Sequence, residues 1–140
     1  MTITFKFYLD SSLTTELTSV DQAFYSDGSS GAIDRQVYIG STTPSKKLLA
    51  ASNPGVDSIQ IQAIDSNGAT GQLAADIKLA LTQGGLASST GGAALAIAAQ
   101  ILSGVAQALP FWMRITPSNM AEGAYADLRL DSADTVERVQ

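Results

Sequence analysis

The segment 109–116 constrains the fold more than any other part of the chain. It is bulky, β-branched and aromatic, and it contains the only tryptophan. Side chains alternate between the two faces of a β-strand, so Phe111, Met113 and Ile115 share one face and Trp112 lies on the other. This pattern predicts a strand with one dry face and one mixed face.

The same alternation of apolar and polar residues recurs along the chain. Loops rich in Gly, Ser, Asn and Asp separate the alternating segments, which we interpret as strands. The clearest of these strands are 3–9, 32–40, 57–64, 77–81 and 124–131. About seven such strands predict an all-β fold, an antiparallel β-sandwich, in one domain at 1–131. The residues that follow, 132–140, read as a polar tail with weak signals of order.

Two segments leave alternatives open. The segment 45–51 fits either a short strand or one helical turn. The alanine-rich segment 93–109 is a helix by propensity alone, because alanine is the best helix former. Ser103 and Gly104 interrupt it, and every other element reads as a strand, so a strand at 95–102 followed by a turn at 103–107 is favoured over a helix by about three to two.

A register for the last two strands follows from their charges. If 111–116 and 125–130 form a hairpin, residues directly opposite each other must share a face. The pairing that best matches charges places Arg114 opposite Asp127. The inward side chains would then pair Met113 with Leu128.

Composition narrows the classes of function. The chain has 13 acidic and 8 basic residues and a net charge of −5, with no basic stripe, which argues against nucleic acid as a partner. Only 15% of the residues are charged, against about 25% in an average soluble domain. Such a neutral surface suits standing contact with other protein subunits. The N-terminal residues lack the pattern of a signal peptide, and no segment is long and apolar enough to predict a membrane span.

No catalytic residue, cofactor site or metal site is predicted. The chain has no His and no Cys, which removes the commonest general base and the thiolate ligands. The segment 65–68 resembles a fragment of a calcium loop but is better explained as an Asx turn. The pairs Gly84-Gly85 and Gly91-Gly92 are interpreted as the ends of a flexible connector. We therefore expect a protein that is not an enzyme.

Four aromatic residues fall on the outward parity of their predicted strands. They are Tyr8, Tyr38, Trp112 and Tyr125. As one outer stripe they could contact a partner subunit or a sugar. Partial cover by loops, or an inverted assignment of faces, explains them about equally well.

Four stretches carry a resemblance to a known group. The runs 92–97 and 101–115, ending in Ala126-Asp127-Leu128-Arg129-Leu130, resemble small β-rich virion proteins of tailed bacteriophages, in which such segments close an Ig-like sandwich. Val37-Tyr38-Ile39-Gly40-Ser41 resembles the second strand of the same group. The resemblance implies a structural component of the virion, made in the host cytoplasm and assembled as a homo-oligomer around a symmetry axis.

That resemblance makes a capsid decoration (cement) protein, bound to other virion proteins on the outside of the particle, the leading expectation. A tail or baseplate component is the nearest alternative. A carbohydrate-binding β-sandwich module is an alternative from another class. Neither the composition nor the motifs place the protein on the head, neck, tail or baseplate.

Overall fold

The computed structural model describes residues 3–17, 32–65, 74–116, 128–133 and 135–140. These residues form antiparallel sheets and three short 3-10 helices, so the prediction of an all-β, sandwich-like fold is confirmed. The described part contains ten strands rather than about seven: β1 (Lys6–Tyr8), β2 (Ile33–Gly40), β3 (Lys46–Ala50), β4 (Gln60–Asp65), β5 (Ile77–Ala80), β6 (Leu95–Ala96), β7 (Gln100–Leu102), β8 (Leu109–Ile115), β9 (Leu128–Ala133) and β10 (Thr135–Val139). The 3-10 helices are Ala74–Asp76, Gly84–Ser88 and Val105–Gln107, and none of the described helices could cross a membrane.

The strands form three sheets around one hydrophobic core. The strand order is β1-β2-β8-β5 in the four-stranded sheet, β10-β3-β7 in the second sheet and β6-β4-β9 in the third. Each sheet contributes buried side chains to the core, among them Phe111 from the first, Leu48 from the second and Ile61 from the third. A single shared core means that no sheet buries its apolar face alone.

The segment that anchors the sequence analysis lies at the centre of the four-stranded sheet. Phe111, Met113 and Ile115 are at most 6% exposed, whereas the intervening Trp112 is half-buried, so the predicted alternation of β8 is confirmed. The ring of Phe111 meets that of Phe7 edge to face, with centroids 5.9 Å apart. Edge-to-face packing is a preferred geometry for aromatic pairs, and here it joins β1 to β8 across the intervening strand β2.

The alanine-rich segment contains strands, as predicted, but not one continuous strand. Leu95 and Ala96 pair with β4, while Gln100 to Leu102 pair with β3 in a different sheet. Residues 103–107 turn, and Val105–Gln107 is a 3-10 helix. Tertiary pairing with two sheets overrides the helical propensity of alanine.

The predicted hairpin between the last two strands is wrong. β8 pairs with β2 along one edge and with β5 along the other, so neither edge is open to β9. β9 pairs instead with β4, with Leu130 opposite Ala63. Arg114 lies opposite Asp34 rather than Asp127, a residue outside the described part of the chain.

The predicted polar tail at 132–140 is also wrong. Ser132 and Ala133 belong to β9, and Thr135–Val139 forms β10, which pairs with β3 over five residues. The side chain of Glu137 further ties β10 to the start of the chain, because its carboxylate accepts hydrogen bonds from the backbone N–H and the hydroxyl of Thr4. A boundary at residue 131 therefore has no counterpart in the fold.

The two glycine pairs do not bracket a loose connector. Leu86, in the 3-10 helix that begins at Gly84, is fully buried. A Cβ atom on Gly91 would lie 1.9 Å from the carbonyl oxygen of Ala75, and the N–H of Gly92 donates to the carbonyl of Ile77 at 2.8 Å. Gly91 is thus needed for close backbone approach rather than for flexibility.

Candidate interaction surface

The four-stranded sheet has one face toward the core and one away from it. Residues paired across antiparallel strands share a face, so the register identifies the outer side chains. Tyr38 lies opposite both Tyr8 and Pro110, Trp112 lies opposite Gln36 and Ala80, and Arg114 lies opposite Asp34 and Lys78. This outer face gathers most of the polar and aromatic groups predicted to point outward.

The centre of the outer face is aromatic and partly open. We use the name aromatic face for Tyr38, Pro110 and Trp112. Tyr38 and Trp112 are half-buried diagonal neighbours on adjacent strands, and Pro110 is exposed. The Tyr38 hydroxyl donates to Oε1 of Gln36 at 3.1 Å, which holds the phenol against its own strand. The result is a rigid apolar patch with few rotatable groups.

A charged group borders the aromatic face. Nε and Nη2 of Arg114 donate to the two carboxylate oxygens of Asp34 at 2.7 and 3.1 Å, a bidentate geometry. The amide of Gln83 donates to the same carboxylate at 3.2 Å. These hydrogen bonds, those from Arg114 above all, hold the pKa of Asp34 below its ordinary value of 3.8 against the opposing effect of partial burial.

Charged side chains from three neighbouring strands meet at this border. Lys78 lies opposite Arg114 on β5, so two cations and one carboxylate occupy three neighbouring strands. The Asp34 carboxylate is engaged by Arg114 and Gln83. A ligand or partner that approaches along the aromatic face would therefore meet a charged border.

The opposite end of the outer face is covered by the chain itself. The carboxylate of Asp10 accepts hydrogen bonds from the backbone N–H groups of Thr14 and Thr15, at 3.0 and 2.8 Å, and so closes a tight loop. This loop lays the buried side chain of Leu13 over Gly40, where a Cβ atom would be 2.9 Å from Leu13 Cδ1. Tyr8 lies at this end and is 7% exposed.

The four aromatic residues singled out in the sequence thus have different fates. Tyr8, Tyr38 and Trp112 share one face, but Tyr8 is buried under the chain and only the other two are partly open. Tyr125 lies outside the described residues. Sequence reasoning missed Pro110 and the partner of Arg114, although both Pro110 and Asp34 stand on the outward parity of their strands.

A buried hydrogen-bond relay elsewhere has a structural role. The fully buried Ser41 hydroxyl accepts from the N–H of Thr43 and lies 2.7 Å from the hydroxyl of Thr4, which donates to Glu137. The hydroxyls of Thr4 and Ser41 both have hydrogen-bond partners, as buried polar groups require. Within the described ranges, no group of three acidic, His or Cys side chains could hold a metal ion.

Comparison with profiles of known protein families, with curated proteins and with solved structures found no match for this chain. No residue role can therefore be carried over from another protein. The properties of the aromatic face have to follow from its own exposure, shape and charge.

Proposed function

We propose that the protein is a non-enzymatic structural protein of a tailed bacteriophage virion, a capsid decoration protein that binds the outside of the particle through protein–protein contacts. The observation that carries the proposal is the aromatic face, a half-open, rigid apolar patch on an otherwise weakly charged chain. Protein interfaces are enriched in Tyr, Trp and Arg, and their centres are depleted of charge. The sequence resemblance to phage virion proteins supplies the class of partner.

The geometry of the aromatic face also suits a repetitive partner. Tyr38 and Trp112 lose little conformational entropy on binding, because packing and hydrogen bonding already restrict them. The adjacent charged side chains, the Arg114–Asp34 pair and Lys78, would select a partner surface that presents complementary charges beside an apolar patch. A capsid lattice would offer that same surface at every equivalent position, so one weak contact could be repeated over the particle.

The test uses purified particles that lack the protein. Recombinant protein is mixed with such particles, and bound protein is measured by cosedimentation and by added density in electron micrographs. Wild type should bind to saturation, and Pro110→Lys should bind at least about tenfold more weakly, because it places a desolvated cation in the interface. Pro110 is exposed, so this variant should fold normally.

Two controls separate binding from folding. Val56→Lys changes an apolar side chain that is 69% exposed in a loop and should bind like wild type. Trp112→Ala should weaken binding as Pro110→Lys does, and its thermal unfolding shows whether the sheet survives. Equal binding by wild type and Pro110→Lys would show that the aromatic face is not part of the interface.

The same experiment distinguishes the alternatives. Density confined to the tail or baseplate would replace decoration of the head with a tail function. Absence from purified virions, together with sugar binding that is lost in Trp112→Ala, would favour a carbohydrate-binding module, because aromatic platforms beside amides such as Gln36 also suit sugars. Turnover of an ester or glycoside would contradict both proposals.

A further inference from the structure

Among the described residues, only one backbone edge of the strand β10 has a neighbouring strand. Gln140 N–H donates to the carbonyl of Ser45 at 2.9 Å, which identifies this pair as hydrogen-bonded in the β10–β3 ladder. Hydrogen-bonded and non-bonded pairs alternate in antiparallel sheets. It follows that Val136 and Arg138 direct their backbone groups at β3, whereas the N–H and C=O groups of Thr135, Glu137 and Val139 point away from it.

The edges of the four-stranded sheet are treated differently. Beside β1, Leu17 N–H donates to the carbonyl of Phe7, and Leu9 N–H donates to that of Thr15, both at 2.8 Å. Beside β5, Gly92 N–H donates to the carbonyl of Ile77. Along the outer edge of β10, no backbone hydrogen bond is formed within the described residues.

The side chains of β10 do little to block that edge. The strand has no proline, and its residues pair with β3 in an unbroken register. Val139 is 70% exposed. Glu137 is bonded to Thr4 through its carboxylate, which leaves its backbone groups available. Three of the five residues of β10 are β-branched, and a regular strand edge that has no partner among the described residues is a template for pairing with another strand.

We propose that β10 pairs antiparallel with β10 of a second copy of the chain, across a two-fold axis that passes beside Val136. The contact would join two three-stranded sheets into one continuous sheet. This contact goes beyond the proposed function and does not rest on it. Binding of particles by the aromatic face could fail while this contact stands, and the reverse also holds.

Charge selects the register. A two-fold axis keeps each residue opposite one of the same parity, and three registers overlap at least three residues of β10. Centring on Glu137 or on Arg138 places a like charge directly opposite itself, which is unfavourable. Centring on Val136 places valine against valine and Thr135 against Glu137. In that register the outward backbone groups of Thr135 and Glu137 face each other and can exchange hydrogen bonds.

Single cysteines test the register, because the chain contains no cysteine of its own. The proposed axis makes the two Val136 residues a non-hydrogen-bonded pair, whose Cβ atoms lie about 4.5–5.5 Å apart, close enough for a disulfide after small adjustments. Val136→Cys should therefore form a disulfide dimer under mild oxidation at least about tenfold faster than Arg138→Cys. The two variants in denaturant give the rate of random collision. Equal rates in the folded proteins, or faster cross-linking of Arg138→Cys, would overturn the register.

A second pair of variants tests the edge without cysteine. Thr135→Pro removes an N–H that points away from β3, so it blocks the outer edge but spares the β3 ladder. Thr135→Val keeps that N–H and is the matched control. Sedimentation equilibrium should show a dimer for wild type and Thr135→Val, and about tenfold weaker dimerisation for Thr135→Pro. A monomeric wild type, or equal dimerisation of all three, would overturn the proposal, whatever the outcome of particle binding.

Discussion

β8 and β10 occupy opposite situations in the fold. β8 has neighbours on both edges and buries Phe111, Met113 and Ile115 in the core. β10 has β3 on one edge, ends in an exposed Val139, and reaches the interior of the fold through the carboxylate of Glu137. The comparison indicates that the core fixes β8 in one place, whereas the stability of β10 depends on its ladder and one polar tie.

The largest expected difference between the two strands is in the unfolding free energy that is lost when a side chain is replaced by alanine. Phe111→Ala should lower the free energy of unfolding by about 3–5 kcal/mol, because it leaves a cavity at a fully buried site. Val139→Ala should change it by less than about 0.5 kcal/mol, since the side chain is exposed. Urea unfolding of both variants makes the measurement. Similar losses of unfolding free energy in the two variants would contradict the expected difference between β8 and β10.

The next effect concerns the backbone that closes the β5 edge of the sheet holding β8. Gly91→Ala should destabilise by about 1–3 kcal/mol or more, because the new Cβ meets the Ala75 carbonyl and the clash involves backbone on both sides. Gly84→Ala is the matched control, since a Cβ there meets nothing within 4 Å. Thermal unfolding should separate the two variants clearly. A Gly91→Ala protein as stable as Gly84→Ala would show that the backbone around residue 91 and Ala75 can move apart at little cost.

A smaller effect is expected from the polar tie of β10. Glu137→Ala removes the acceptor for Thr4 and should reduce the free energy of unfolding by about 1–2 kcal/mol. Glu16→Ala removes a carboxylate whose contact with Lys6 is long and exposed, so it should have almost no effect. Hydrogen exchange of the β10 amides measures the stability of this strand separately from that of the whole fold. Protection there should fall in Glu137→Ala and persist in Glu16→Ala.

The smallest expected effect belongs to the ion pair that joins β8 to β2. A double-mutant cycle on Asp34 and Arg114 at pH 7 should give a coupling of about 1 kcal/mol, as the pair is well oriented but partly exposed. Because the folded-state pKa of Asp34 lies below 3.8, the stabilisation is complete above that pH and is lost as the pH falls through the folded-state value.

Acid titration checks the sign of that effect. The difference in free energy of unfolding between wild type and Asp34→Asn should be constant above about pH 5 and should shrink toward lower pH. The two proteins differ in ionisable groups only at position 34, so the change in this difference can be assigned to the Asp34 carboxylate. A difference that stays constant down to pH 2 would mean that the ion pair does not stabilise the fold.

Local sequence patterns predicted the interior of this fold well. Strict alternation identified β2, β4, β5 and β8, because each has a dry face that repeats every second residue. The buried Ile59 and Ile61 follow directly from it. Interruption of the alanine-rich segment at Ser103 and Gly104 likewise outweighed its helical propensity.

Long-range pairing could not be predicted in the same way. Asp34 and Asp127 both stand on a parity compatible with Arg114, so charge alone cannot choose between them, and the preference for sequential neighbours favoured the wrong one. β10 was missed because its charges resemble a solvated tail, although Thr135, Val136 and Val139 carry a β-branched signal. Tyr8 was assigned to the exposed stripe because the alternation within β1 does not reveal that the loop directly after this strand folds back over its end of the face.

One segment links two sheets. Within ten residues, the chain bonds Ile97 to Ile59 beside the third sheet and then places Gln100 opposite Leu49 in the second. If this shared segment detaches from one sheet, the other sheet is disturbed as well. The amide protons of both sheets should therefore exchange with solvent through a common opening event. The alanine-rich segment, whose secondary structure the sequence left open, thereby makes the two smaller sheets one cooperative unit.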